Sequence, residues 1–71
     1  MSKADEMFEK LGYKKIEEKD YIAYIEPKEP LQFRTEIYFH TDKWIIQIYN
    51  CINTDELQAI NEKVKELNWN E

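Results

Sequence analysis

The stretch FRTEIYFHTDKWIIQIYNCI, residues 33–52, decides the fold because it predicts a β-hairpin with bulky apolar side chains on both faces. Its first arm belongs to a strand over 32–39, its turn is HTDK at 40–43, and its second arm is a strand over 44–50. A chain of 71 residues has few ways to cover both faces of such a sheet by itself. The face left uncovered is therefore the best physical clue to function, and it favours binding over chemistry.

Alternation along the two arms assigns their side chains to opposite faces of the sheet. The inner face, which helices would cover, takes Phe33, Ile37, Phe39, Ile46 and Ile48. The outer face takes Tyr38, Ile45 and Tyr49. The preceding strand adds to the outer face either Ile22 and Tyr24 or Tyr21 and Ile25. Of these two pairs we favour the first.

Two amphipathic helices flank the strands, and the first is predicted over 3–11. Ser2 followed by Asp5 resembles a capping box at its start. Gly12, the only glycine in the chain, stands where a left-handed residue commonly ends a helix. The apolar stripe of this helix consists of Ala4, Met7, Phe8 and Leu11.

The second helix is predicted over 54–68, after a capping pair formed by Asn53 and Glu56. Acids lead this segment and lysines follow, which is the order that the helix dipole prefers. Its apolar stripe consists of Leu57, Ile60, Val64 and Leu67. Trp69 lies just beyond the helix, and we expect it to fold back onto the core.

Two further strands complete the sheet, a short charged edge strand over 13–18 and a second strand over 21–26. Pro27 and Pro30 bracket the loop that leads to the third strand. The order α-β-β-β-β-α with short connections predicts one α+β domain over residues 1–71. It has two layers, a four-stranded antiparallel meander and both helices packed on one face of it.

Composition narrows the possible function classes. The formal net charge of −5 disfavours direct binding to nucleic acid or to an anionic membrane, because both need a cationic patch. It permits a basic protein partner, although mild acidity can also simply keep a small protein soluble. The single cysteine excludes an internal disulfide and fits a reducing cytoplasm. There is no apolar run of the length that a signal peptide or membrane span needs.

The residue types that carry catalysis are few and scattered. His40, the only histidine, lies in the predicted turn, and Cys51 lies near the opposite end of the hairpin. We interpret them as a solvated turn histidine and a small buried thiol. The carboxylates occupy solvated positions, and one glycine cannot form a phosphate-cradling loop. We therefore expect no catalytic residue, no metal site, no cofactor and no enzymatic activity.

The outer-face aromatic residues support a binding hypothesis. Tyrosines can lie flat on a sheet with their hydroxyl groups in water and need no partner. Ile45, however, is difficult to explain as a solvent-facing residue, and a contiguous apolar patch marks an interface. The predicted binding face, for a partner protein or a second copy, consists of Tyr24, Tyr38, Ile45 and Tyr49, with Arg34 and Glu36 as its rim.

Two segments, ADEMFEKLGYKKIEE at 4–18 and ELQAINEKVKELNW at 56–69, resemble the ends of small uncharacterised proteins encoded by phages and prophages of Firmicutes. The family pattern Leu-Gly-Tyr at the end of the first helix matches residues 11–13, and Glu-Leu-Gln-Ala-Ile-Asn matches 56–61. Asn68 stands where the family often has glycine. The resemblance implies the cytoplasm of a bacterial host as the setting, and it assigns no binding or catalytic residue.

These observations lead to one main hypothesis and two alternatives. The main hypothesis is a phage or prophage accessory protein that binds, or binds and inhibits, a host defence or regulatory protein. The first alternative is a structural homodimer, joined sheet to sheet or edge to edge. The second is a small-ligand module in which a groove between two copies holds a nucleotide-like ligand near Arg34 and Lys43.

Overall fold

The computed structural model describes residues 2–69, and it has the predicted order of a helix, four strands and a second helix. The two helices are α1 (Lys3–Lys10) and α2 (Thr54–Glu66). The four strands are β1 (Lys14–Glu17), β2 (Tyr21–Ile25), β3 (Glu36–His40) and β4 (Ile45–Tyr49). The two-layer α+β architecture is therefore confirmed. Across the part of the chain described, no helix has the length and apolarity needed to cross a membrane.

The sheet is an antiparallel meander in the order β1-β2-β3-β4, as predicted from the short connections. Residues that face each other across all four strands include Ile16, Ala23, Tyr38 and Gln47. Because side chains of directly opposite residues lie on the same face, this register fixes which residues share a face. β2 and β3 are the central strands, whereas β1 and β4 form the two edges.

Both helices end in the same way, with a left-handed residue followed by an aromatic one. Gly12 has a φ of 93° and Asn68 a φ of 59°. The next residues, Tyr13 and Trp69, donate their backbone N–H groups to carbonyls in the last helical turn, at 3.0 and 3.1 Å. This is the Schellman arrangement, and Asn tolerates the left-handed region better than most residues with a Cβ atom. Each helix end thereby directs an aromatic side chain toward the core.

The helix starts are capped from the residues that the sequence indicates. The Ser2 hydroxyl accepts a hydrogen bond from the backbone N–H of Asp5 at 3.0 Å, and the Asp5 carboxylate does not accept one from the Ser2 backbone N–H in return. At α2 the capping box is complete, since Asn53 and Glu56 each accept from the other's backbone N–H, at 2.9 and 2.8 Å. The Glu56 carboxylate also accepts from the Tyr13 hydroxyl, which links the start of α2 to the end of α1.

The core lies between the helices and the inner face of the sheet. The ring of Phe8 stacks on the ring of Tyr24 with centroids 3.9 Å apart, and Phe39 packs edge-on against both. Trp69 reaches Phe39 with ring centroids 6.2 Å apart, which confirms that it folds back onto the core. The buried cluster consists of Phe8, Tyr13, Ile22, Tyr24, Ile37, Phe39, Ala59 and Ile60.

The third strand begins later than predicted. β3 starts at Glu36 because β2 ends at Ile25 and these two residues are opposite each other, so residues 26–35 form the connection. Within that connection, residues 31–33 form a single 3₁₀ turn. Phe33 is more than half exposed there, so its predicted place on the inner face is wrong.

The assignment of β2 side chains to faces is also wrong for the favoured pair. Tyr24 is opposite Ile37 and Ile22 is opposite Phe39, so both lie on the inner face with the core. Tyr24 is only 1% exposed. A buried tyrosine needs a partner for its hydroxyl group. Here the Tyr24 hydroxyl donates to the Asp5 carboxylate of α1 at 2.5 Å, which makes its burial tolerable.

The two residues considered for nucleophilic chemistry also differ from expectation. His40 is the last residue of β3, and the turn is formed by residues 41–44, with Trp44 at a φ of 59°. Cys51 lies in the short connection from β4 to α2, and it is exposed. Its interpretation as a small buried thiol is therefore wrong.

Candidate functional site

We call the face of the sheet opposite the helices the open face. The register places eleven side chains on it: Lys14, Ile16, Tyr21, Ala23, Ile25, Glu36, Tyr38, His40, Ile45, Gln47 and Tyr49. Ile45, opposite His40, is 50% exposed. The core that both helices cover lies on the other side, so no helix of the described residues 2–69 packs on this face.

Tyr38 is the centre of an aromatic cluster on the open face. Its ring centroid lies 5.6 Å from that of Tyr21 and 6.1 Å from the His40 ring, with the imidazole nearly parallel at 14°. The Tyr49 ring meets it edge-on, with centroids 5.7 Å apart. Such offset and edge-on contacts hold aromatic rings in defined positions. The open face therefore presents a fixed group of rings and not a set of independent side chains.

A first polar network fixes the Tyr38 end of this cluster. The Tyr38 hydroxyl donates to a Glu36 carboxylate oxygen at 2.8 Å, and the Arg34 guanidinium donates to the other oxygen at 2.9 and 2.8 Å. The hydrogen bond from Tyr38 and the charge of Arg34 lower the pKa of Glu36. Partial burial and the neighbouring carboxylate raise the pKa of Tyr38 to about 12. Glu36 is thus held as a carboxylate and Tyr38 as a neutral phenol.

A second polar network joins the two outermost rings. His40 Nε2 lies 3.0 Å from Gln47 Oε1, and Gln47 Nε2 donates to the Tyr49 hydroxyl at 2.8 Å. The polar ends of the aromatic side chains are therefore largely occupied by neighbours on the same face. What remains for a partner is the surface of the rings themselves, together with the exposed half of Ile45.

Five of the six predicted binding residues meet on or beside the open face: Arg34, Glu36, Tyr38, Ile45 and Tyr49. Tyr24 does not belong to this group, because it lies in the core on the opposite side of the sheet. The prediction missed Tyr21, His40 and Gln47. Tyr21 belonged to the alternative pair of β2 side chains. The alternation along β2 therefore contained the signal, and only the choice of the pair that faces outward was wrong.

A second group of ionisable side chains lies on the helix side, around Asp5. The Asp5 carboxylate accepts from Tyr24 at 2.5 Å and from Lys15 Nζ at 2.8 Å, and Lys63 Nζ lies 3.7 Å away. Lys63 is only 6% exposed and also lies 3.7 Å from Glu66. Together these contacts join α1 to β1, β2 and α2, and we call this group the Asp5 cluster.

The electrostatics of the Asp5 cluster indicate a structural role. Burial alone would raise the pKa of Asp5, but the hydrogen bonds from Lys15 and Tyr24 and the charge of Lys63 outweigh it and lower the pKa to about 2. The same burial and the Asp5 carboxylate raise the pKa of Tyr24. A general base is most effective with a pKa near the working pH. A carboxylate this acidic, with its oxygens already occupied, is a stabilising anchor for the surrounding elements.

Shallow hollows rather than enclosed cavities border these groups. A hollow of about 410 Å³ lies beside the Asp5 cluster, and another of about 440 Å³ is lined by Arg34, Glu36 and Tyr49 at one end of the open face. The Arg34 guanidinium is already paired with Glu36, which leaves little free positive charge there for an anionic ligand. Within residues 2–69, no three His, Cys, Asp or Glu side chains are grouped so that they could hold a metal ion.

No family model, curated protein or solved structure matched this chain. We therefore infer the function from the geometry of the open face and from the physical chemistry of its side chains.

Proposed function

We propose that this chain is a non-catalytic protein-binding module and that the open face is its binding surface. The observation that carries the proposal is the aromatic cluster around Tyr38, flanked by the half-exposed side chains of Ile45 and Tyr49 on a sheet face without helices. A wet face of an antiparallel sheet is normally polar. An aromatic and aliphatic one is the composition found at the centre of protein interfaces.

The fixed geometry of the open face supports this proposal. Rings that are held by contacts and by hydrogen bonds at their polar ends lose little conformational entropy when a partner covers them. Tyrosine is among the residues that most often contribute strongly to binding energy. Arg34 and Glu36 pair with each other at the border, where a polar rim is expected.

The charge of the chain favours one kind of partner. With a net charge of −5, long-range attraction favours a basic protein, including one whose own ligand is nucleic acid. Together with the resemblance to phage and prophage proteins, this supports an accessory protein that acts on a nucleic-acid-directed defence or regulatory component of the bacterial host. Attraction of this kind weakens as salt is added, because the charges are screened.

The proposed absence of catalysis rests on the states of the ionisable groups. The most strongly perturbed carboxylate, Asp5, is held ionised by its neighbours and lacks a free oxygen for proton transfer. His40 is engaged by Gln47 and stacked on Tyr38. These groups have structural neighbours that account for their positions without a reaction.

Capture of a host partner with defined variants tests the proposal. We expect the wild-type chain to retain one basic host protein, and we expect the double variant Tyr38→Ala and Tyr49→Ala to lose it. Leu57→Ala is the matched control, because Leu57 on α2 is 46% exposed and Tyr49 is 48% exposed. The purified pair should then bind with an affinity reduced about a hundredfold by the double variant, the loss typical of two anchor residues. Equal binding by the double variant and the wild type would contradict the use of the open face.

A further inference from the structure

The outer edge of β4 is the least protected part of the sheet. β4 is an edge strand, and its sequence IIQIY contains no charged residue and no proline. Four of its five residues are exposed, including Ile45 and Tyr49 on the open face and Ile48 on the helix side. Proteins normally protect such edges with lysine, proline, bulges or covering loops, because unpaired backbone groups next to apolar side chains pair readily with another strand.

The connection that follows β4 holds the strand in position without covering it. Asn50, at a φ of 71°, donates through its side chain to the backbone carbonyls of Gln32 and Arg34, at 3.2 and 2.8 Å. Thr35 Oγ1 donates to the Cys51 carbonyl at 3.4 Å. These bonds hold the end of β4 against the neighbouring loop, and among residues 2–69 no strand pairs with the outer side of β4.

We infer that β4 pairs, antiparallel and across a two-fold axis near Gln47, with β4 of a second copy of this chain, joining two four-stranded sheets into one of eight strands. Gln47 is the middle residue of the strand, so Ile45 of one copy would lie beside Tyr49 of the other, and two uncharged segments would meet. The pairing also covers Ile48 on the helix side of both copies.

The uncharged sequence of β4 favours a second copy as the occupant. Each chain carries a net charge of −5, so two copies repel each other at most surfaces. Residues 45–49 carry no charge, so two copies of β4 can lie side by side without bringing like charges into contact. Added salt screens the remaining repulsion and should therefore strengthen the dimer. Binding of a basic partner to the open face should show the opposite salt dependence, which separates the two proposals experimentally.

The expected affinity is modest. Five residues of strand per copy, four of them exposed, give an interface at the low end of specific ones, below about 1,200 Å² in total. Interfaces of this size form weak or transient complexes, so we expect a dissociation constant on the order of 10–100 μM. A two-fold axis normal to the sheet leaves both open faces on the same side, where they would form one larger surface.

Sedimentation equilibrium on matched lysine variants tests the pairing. Ile48 on β4 and Ile16 on β1 are both 39% exposed, and each substitution changes the net charge equally. We expect the wild-type chain to dimerise, Ile48→Lys to raise the dissociation constant at least about tenfold, and Ile16→Lys to leave it unchanged. Raising the salt concentration should tighten the wild-type dimer. Far-ultraviolet circular dichroism confirms that each variant is folded.

Three outcomes would overturn the inference. The first is a wild-type chain that stays monomeric up to about 1 mM. This outcome holds equally if the β4 edge pairs with a strand of a different protein and not with its own copy. The second is a dimer that Ile48→Lys leaves intact. The third is a dimer that Tyr38→Ala abolishes, because copies joined through their open faces would not use the edge. If Ile48→Lys does not fold, amide exchange in the wild type decides, since edge pairing protects residues 45–49 increasingly as the concentration rises.

Discussion

The two edges of this sheet have opposite chemistry. β1 has the sequence KKIE, and its Lys15 is bonded to Asp5 of α1 at 2.8 Å and lies 3.7 Å from Glu17. β4 has the sequence IIQIY, which contains no charged residue and so cannot form an ion pair with a helix. Both strands are short and both are exposed, so length and burial do not distinguish them. The difference shows that this chain protects one edge of its sheet with charge and leaves the other available for pairing.

The largest expected effect comes from removing the anchor of the β1 edge. Asp5→Ala leaves the buried Lys63 with one of its two carboxylate neighbours, Glu66 at 3.7 Å, and it leaves the Tyr24 hydroxyl without its acceptor. We expect a loss of about 3 kcal/mol in the free energy of unfolding, measured by urea denaturation. Asp42→Ala in the exposed turn is the control and should change it by less than about 0.5 kcal/mol. Similar losses in both variants would show that the Asp5 cluster does not stabilise the β1 side.

Acid should weaken the same anchor reversibly. The pKa of Asp5 is about 2 in the folded chain and 3.8 when unperturbed, so the unfolded chain binds more protons between these values. The stabilisation from this carboxylate is therefore complete above about pH 5 and is lost as the pH falls toward 2. After allowance for solvent screening, we expect it to account for about 1–2 kcal/mol of the acid-induced loss. Asp5→Asn should lack this part of the acid limb in unfolding curves recorded from pH 5 to 2, and equally steep limbs would contradict the assignment.

A charge placed at the middle of β4 should make the two edges alike. Gln47→Lys removes two exposed hydrogen bonds, with His40 and Tyr49, and should lower the free energy of unfolding by no more than about 1 kcal/mol. Because two lysines would face each other near the proposed axis, self-association measured by light scattering should fall about tenfold. Gln47→Ala loses the same hydrogen bonds without adding charge, so it should dimerise more tightly than the lysine variant. Equal affinities would show that charge does not govern this edge.

The smallest effect is expected on the protected edge. Lys14→Gln removes one charge from β1 but leaves Lys15 and Glu17 in place. Thermal unfolding should indicate a change within about 0.5 kcal/mol, as for most surface substitutions. The mass in solution should equal that of the wild type at each concentration. A clear gain in self-association would show that a single lysine, rather than the whole charged strand, protects this edge.

The parts of the fold that depend on local signals could be predicted from the sequence. The caps at Ser2 and Asn53 and the single glycine at Gly12 mark three of the four helix ends. The meander follows from connections too short for any crossover. Tyr38, Ile45 and Tyr49 of the open face were predicted correctly from the alternation of side chains along β3 and β4. That alternation is the same wherever each strand begins.

The parts that depend on distant contacts could not be predicted in this way. β2 reads YIAYI and is apolar on both faces, so alternation alone does not say which side is inward. The choice is made by the length of the 26–35 connection and by Asp5, which lies 19 positions from Tyr24 and accepts its hydroxyl hydrogen bond. Lys63 likewise becomes a buried residue of α2, whereas Leu57 of the predicted stripe stays nearly half exposed. The burial of Lys63 depends on two carboxylates, Asp5 of α1 and Glu66 of α2.

The contact between the turn and the C-terminal aromatic residue gives the protein an internal optical reporter. Trp44 and Trp69 are the only tryptophans of the chain, and their rings are stacked 5.9 Å apart at an angle of 13°. Two indoles at this separation are close enough to couple their electronic transitions, and we expect a paired circular dichroism band when the two transition dipoles are twisted about the stacking axis. Loss of that band, with helix content unchanged, would report release of Trp69 from the hairpin turn before the rest of the protein unfolds.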